Sequence, residues 1–217
     1  MAGILDLLNS DLGKTIINGV AGSTGQDKGK TGDVLSLGLP VLMKAMERNV
    51  STPQGAEGLM GAISGKHNGS ILDNLGGLFD GGVDANVKQD GSKILGHILG
   101  DKRAGVEQVL GQKSGMDTGA VDDIMKVAAP ILMGVLGKQA NKGGVSSAGD
   151  LSGLLGGLLG GAGQTGPVTK EQTFLEQVLD SDGDGSIIDD VAGMVLGQAT
   201  KGKGGLGGLL GGLFGGK

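Results

Sequence analysis

The chain has 217 residues, with 49 glycines, three phenylalanines as its only aromatic residues, no cysteine and a formal net charge of −5. Without cysteine, disulfides, thiolate metal sites and cysteine nucleophiles are excluded. With neither a basic face nor an aromatic platform, nucleic-acid binding has no footing. The apolar residues are mainly Leu, Ile, Val, Met and Ala, which predicts a core of closely packed helices joined by many small contacts.

Residues 1–14 have no basic segment, and Asp6 interrupts their apolar run, so no secretory signal is expected. No stretch reaches the ~18 apolar residues of a membrane span. The expectation is a soluble, cytoplasmic protein, with non-classical export or a surface location left open.

Short helices are predicted over residues 3–8 and 11–22, the second capped by Ser10 or Asp11. A polar loop at 25–30 leads to a long helix over 31–48 carrying Pro40, which should kink or split it. Ser51, Pro53 and Gln54 mark the next start, with Ser51 as cap. Ala56, Leu59, Met60 and Ile63 then form one apolar stripe. A loop at 66–69 ends that helix, and Ser70 with Asp73 opens another over 71–79. The polar, glycine-punctuated stretch 80–90 is read as a boundary.

The pattern restarts with helices over 92–99 and 102–110, then a long helix over 118–140 with Pro130 near its middle. A polar linker at 141–147 precedes a start at Ser147 with Asp150. PVLMKAMERN at Pro40 matches PILMGVLGKQ at Pro130, and the Thr-Gly pairs at 31 and 118 align if the second copy carries three extra residues. An internal duplication follows as an expectation. Residues 1–90 and 91–165 are two homologous helical repeats, 166–200 a cation-binding module and 201–217 a flexible Gly/Leu-rich tail. The tracts at 154–163 and 204–216 are low in complexity. Glycine weakens an isolated helix by about 1 kcal/mol per residue against alanine, so isolated tracts should be disordered. Packed, their small residues let helices approach closely, and self-association or membrane contact could order them.

Explicit chemistry is confined to residues 169–190. Thr169 and Gln172 form a capping box, and Phe174, Leu175, Val178 and Leu179 an apolar helix face, running into DSDGDGS. Asp180, Asp182 and Asp184 fall at loop positions 1, 3 and 5, with Gly185 at 6. That spacing converges three carboxylates on a hard cation while glycine permits the turn. Ser186 offers its carbonyl at position 7. The loop resembles an EF-hand or dockerin-type calcium loop over its first eight positions, then departs. Ile188 stands at position 9 and Val191 at position 12, so Asp190 would close the cage. Ca2+ is favoured, with Mg2+ the other candidate; the plainer reading is a solvated acidic turn capping the next helix.

Other signals carry less. Gly29-Lys30-Thr31 lacks the first glycine of a phosphate loop. His67 is placed in a loop and His97 on a short helix, with no carboxylate at a spacing that suggests catalysis. Asp122 and Asp123 are explained by the helix dipole, and the methionines as core filler.

The apolar N-terminus, the P-[VI]-L-M helices, the Leu-Gly tracts and DSDGDGSIIDDVAGM together resemble the uncharacterised bacterial YidB-like family, "domain of unknown function 937". The resemblance implies a helical fold and bacterial origin, and no catalytic residues. The expected protein is all-α and non-enzymatic. It would bind a divalent cation and associate with itself or a protein partner, with peripheral membrane contact through the Leu/Gly tracts as the second reading.

Overall fold

The computed structural model describes residues 3–160, and all of their regular elements are helical. The order is α1 (Ile4–Asn9), α2 (Asp11–Thr24), α3 (Lys28–Val50), α4 (Pro53–Ser64), α5 (Leu75–Phe79), α6 (Ala85–Leu99), α7 (Arg103–Ser114), α8 (Thr118–Gly143) and α9 (Ala148–Gly160). Short 3-10 turns, Ser70–Asn74 and Gly100–Lys102, lead into α5 and α7.

Caps account for most starts. Ser10 accepts from Gly13 N, and Ser147 and Asp150 bond reciprocally. At α4 the cap is Thr52 rather than Ser51, because Pro53 occupies the first helical position and Gly55 N reaches the threonine hydroxyl. The expected helix over 71–79 is a 3-10 turn followed by α5, capped by Asn74. Residues 85–90 belong to α6, so the boundary expected at residue 90 falls inside a helix. The linker expected at 141–147 begins later, since α8 continues to Gly143.

Neither proline splits its helix: α3 runs through Pro40 and α8 through Pro130. An interior proline costs a backbone hydrogen bond and a steric clash, ~3 kcal/mol or more. Burial offsets it. Both prolines are buried, and residues 127–137 of α8 are buried on every side, as befits a helix at the centre of a bundle. Around α3 and α8 the packing is reciprocal. The helices α2 and α7 each touch both; α4 lies on α3 and α8, and so does α9. One core cluster runs from Ile4 to Leu158. Small residues allow the close approaches that the composition predicted: a Cβ on Gly91 of α6 would stand 1.8 Å from the Lys126 carbonyl oxygen of α8.

The turns entering α3 and α8 repeat the same bonds. Gly25 ends α2 with φ 68°, Gln26 N donates to Ala21 O, Thr24 Oγ1 to Val20 O, and Lys30 N to the Asp27 carboxylate. Ninety residues on, Gly115 ends α7 with φ 64°, Met116 N donates to Gly111 O, Ser114 Oγ to Leu110 O, and Ala120 N to the Asp117 carboxylate. The left-handed backbone at these two glycines is what makes the sharp reversal cheap. At the same spacing all 12 buried residues of α3 fall on buried residues of α8, Pro40 on Pro130 included. At this spacing the capping Asp27 stands with Asp117 and Pro40 with Pro130, without the three extra residues that pairing Thr31 with Thr118 would need.

Candidate functional site

Among the described residues a groove of about 570 Å³ opens between α4 and α6, a size typical of sites that take a ligand. Its apolar lining comes from four helices: Met46 of α3, Leu59 of α4, Ile94 and Ile98 of α6, and Met133 of α8. Both histidines, separated by thirty residues in the sequence, line it as well.

Most of its polar groups already have partners. Asn49 Nδ2 donates to the carbonyls of His97 (3.3 Å) and Ile98 (3.4 Å), which ties the end of α3 to the last turn of α6. The Thr52 hydroxyl donates to Asn49 O while accepting from Gly55 N. His67 lies in the turn after α4, the loop position expected of it, and is buried there, 8 % exposed. Its Nε2 stands 3.6 Å from Asp90, whose other oxygen pairs with Lys66 at 2.6 Å. Burial lowers the imidazole pKa, with Lys66 adding to the effect and Asp90 opposing it. The ring is therefore neutral near pH 7.

That turn is seated firmly. Asn141 Nδ2 donates to Asn68 O, and Gly137 lies so close that a Cβ there would be 1.9 Å from His67 O. The seat places His67 at the groove wall.

A second polar cluster joins α6, α7 and α8. Arg103 donates to Glu107 (2.7 Å), to the carbonyl and hydroxyl of Ser92 (3.2 and 3.1 Å), and to Asp122. Asp122 also pairs with Lys126. Burial raises the Glu107 pKa and outweighs the help of Arg103. Burial also acts to raise Asp122, but its bonds to Lys126 and Arg103 hold it below the usual carboxylate value. Asp122 is thus an ion-pair partner, and the helix-dipole role expected of it is secondary. The i,i+4 spacings Arg103–Glu107 and Asp122–Lys126 were legible in the sequence; the crossing from α7 to α8 was not. Its partners make this cluster a brace between helices.

The expected cation ligands, Asp180, Asp182, Asp184, Ser186 and Asp190, lie outside the described residues, as do the 166–200 and 201–217 segments. Among the described residues no group of three or more His, Asp or Glu side chains could hold a metal, and no helix is long and apolar enough to cross a membrane.

A family model described as "Bacterial protein of unknown function (DUF937)" matches residues 6–139 and 141–217, nearly the whole chain. The chain belongs to this family. Neither the curated proteins nor the solved structures give a match to it. For this DUF937 member the geometry supplies a groove lined by two histidines and methionines, and a salt-bridged brace between α6, α7 and α8. The first Leu-Gly tract is not a loose surface segment. Its residues 154–160 form the end of α9, with Leu151, Leu154, Leu155 and Leu158 in the core.

Proposed function

We propose that this DUF937 protein is a non-enzymatic interaction protein that binds a divalent cation and associates with itself. The observation that carries the cation is the run Asp180, Asp182, Asp184 with Gly185, directly after an amphipathic segment. Three carboxylates at alternate positions ahead of a glycine are the arrangement a hard cation needs. Asp190 closes the cage, and Ser186 contributes its carbonyl. With Val191 where a bidentate carboxylate would stand, binding falls in the weak class, Kd ~10⁻⁴ to 10⁻³ M, for Ca2+ before Mg2+.

The frame that carries this loop is read as a duplicated helical unit. What supports the duplication is the ninety-residue correspondence of turns, prolines and buried positions between α2–α3 and α7–α8. Self-association is assigned to the second Leu-Gly tract, since the first already serves the core. The same tract is the one through which a membrane-surface reading would act.

Calorimetric titration of Ca2+ and Mg2+ into the full chain tests the cation. Heat of binding that disappears in Asp182→Asn, with a chelator-sensitive melting temperature, is expected. No heat and no chelator effect would remove the cation from the proposal. Sedimentation of the full chain against a chain ending at residue 203 tests self-association. Vesicle co-sedimentation of the same pair separates it from membrane binding.

A further inference from the structure

We infer that the groove between α4 and α6 is the seat of the chain's own C-terminal segment, residues 204–217. The inference deepens the self-association reading above and is independent of the cation. Its first support is a repeat inside the sequence. Residues 206–215 read LGGLLGGLFG, and residues 151–160 read LSGLLGGLLG. Leu206, Leu209, Leu210, Leu213 and Phe214 thus reproduce the spacing of Leu151, Leu154, Leu155, Leu158 and Leu159, one stripe at helical period. In the fold the earlier stripe packs as α9, burying four leucines against neighbouring helices. The later copy carries the same apolar knobs at the same spacing.

The second support is the place left open. Helix α4 corresponds to α9 in the frame. Their caps are Thr52 and Ser147, and the buried Ala56 and Ile63 match Leu151 and Leu158 five residues beyond the ninety-residue register. The flank of α9 is covered by α1, whose Ile4 and Leu8 are buried and whose preceding Gly3 would bring a Cβ within 3.3 Å of Leu158 O. On the flank of α4 facing α6 lies the groove instead. Its α4 wall sets the small residues Gly55, Gly58 and Ala62 beside Gln54 and Leu59, and a Cβ on Gly58 would meet nothing within 4 Å. An apolar hollow with a small-residue wall accepts leucine and phenylalanine knobs. The Gly/Leu stretch brings no charge between residues 204 and 216 to desolvate there.

Reach imposes no restriction. The 43 residues from 161 to 203 span at most ~150 Å extended, and still ~65 Å if helical. Either length exceeds the ~30 Å breadth of a small domain, so the segment can reach its own groove or that of a second copy.

The absence of native cysteine makes the test direct. In the full-length His97→Cys/Leu210→Cys variant, mild oxidation should form a disulfide at least about tenfold faster than in a Lys14→Cys/Leu210→Cys control on α2, because docking raises the local thiol concentration. A link within one chain assigns the segment to its own groove and ends its role in self-association. A link between chains assigns it to a second copy and identifies the self-association contact. Adding Gly58→Phe, which fills the groove from an exposed position, should return the rate to that of the control, with unchanged helical circular dichroism. A rate no faster than the control overturns the inference. So does a fast rate that the filled groove leaves intact. Calcium titration of the same variants reports on the cation loop separately.

Discussion

Removing Arg103 is the most decisive test of the brace between α6, α7 and α8. In Arg103→Met the side chain keeps its aliphatic bulk and loses its bonds to Glu107, Ser92 and Asp122. Asp122 retains Lys126, so its charge stays compensated. Glu107, whose side chain is 11 % exposed, has no cation left; its remaining bond, to Asp122, needs a proton on one of the two carboxyls. Stranding a buried charge costs ~3–5 kcal/mol, and Lys126 with partial solvent access brings the expected loss to about 3 kcal/mol. For a chain of this size that is roughly 6–12 °C in melting temperature.

The assay is urea unfolding followed by circular dichroism, run as a double-mutant cycle with Glu107→Gln. Because the penalty lies in the unpaired carboxylate, Glu107→Gln should restore at least ~1 kcal/mol to Arg103→Met while destabilising the unmodified protein. An Arg103→Met loss below ~0.5 kcal/mol, the range of an ordinary surface change, would refute the reasoning. So would a double variant no better than Arg103→Met alone.

Other predictions follow from close approach, titration and the acidic loop. Gly91→Ala sets a methyl 1.8 Å from the Lys126 carbonyl and should cost ~2 kcal/mol or more by forcing α6 off α8. Gly96→Ala on the same helix meets nothing within 4 Å and should stabilise by ~0.5–1 kcal/mol; equal melting temperatures for the two would contradict the crossing. His67 has a lowered pKa, so the unfolded chain binds its proton first. Its contribution to stability is complete above the ordinary value of 6.5 and declines as pH falls through 6.5 toward the lowered native value. His67→Asn should flatten the stability profile between about pH 7.5 and 5.5, and an unchanged slope would show that another group sets it. Asp184→Asn removes one of three clustered carboxylates and should weaken Ca2+ binding about tenfold or more, measured by the same calorimetry as Asp182→Asn.

Local signals located much of the helical frame. Ser10, Ser147 with Asp150, and the stripe from Ala56 to Ile63 act over three to seven residues, and such patterns are readable along a chain. The prolines left a kink and a split both open, because the cost of an interior proline is local while its compensation is not. Only the burial of α3 and α8 shows why both helices continue through them. The proline-centred match was visible in the sequence, where the Thr-Gly pairs gave one register; the turn hydrogen bonds repeat at another, ninety residues apart. Thr31 is a buried helical residue, whereas Asp27 and Asp117 make the equivalent caps.

By itself the sequence determined the helical class, the apolar stripes, the family resemblance and the acidic run at 180–190, since each depends on residues close together in the chain. Tertiary structure decided that His67 and His97 line one groove, that Arg103 reaches Asp122, and that the leucines of α9 are core. Each depends on two helices crossing at a particular place, and that place is set by the close approach a glycine permits or by the way buried side chains fill the space between helices.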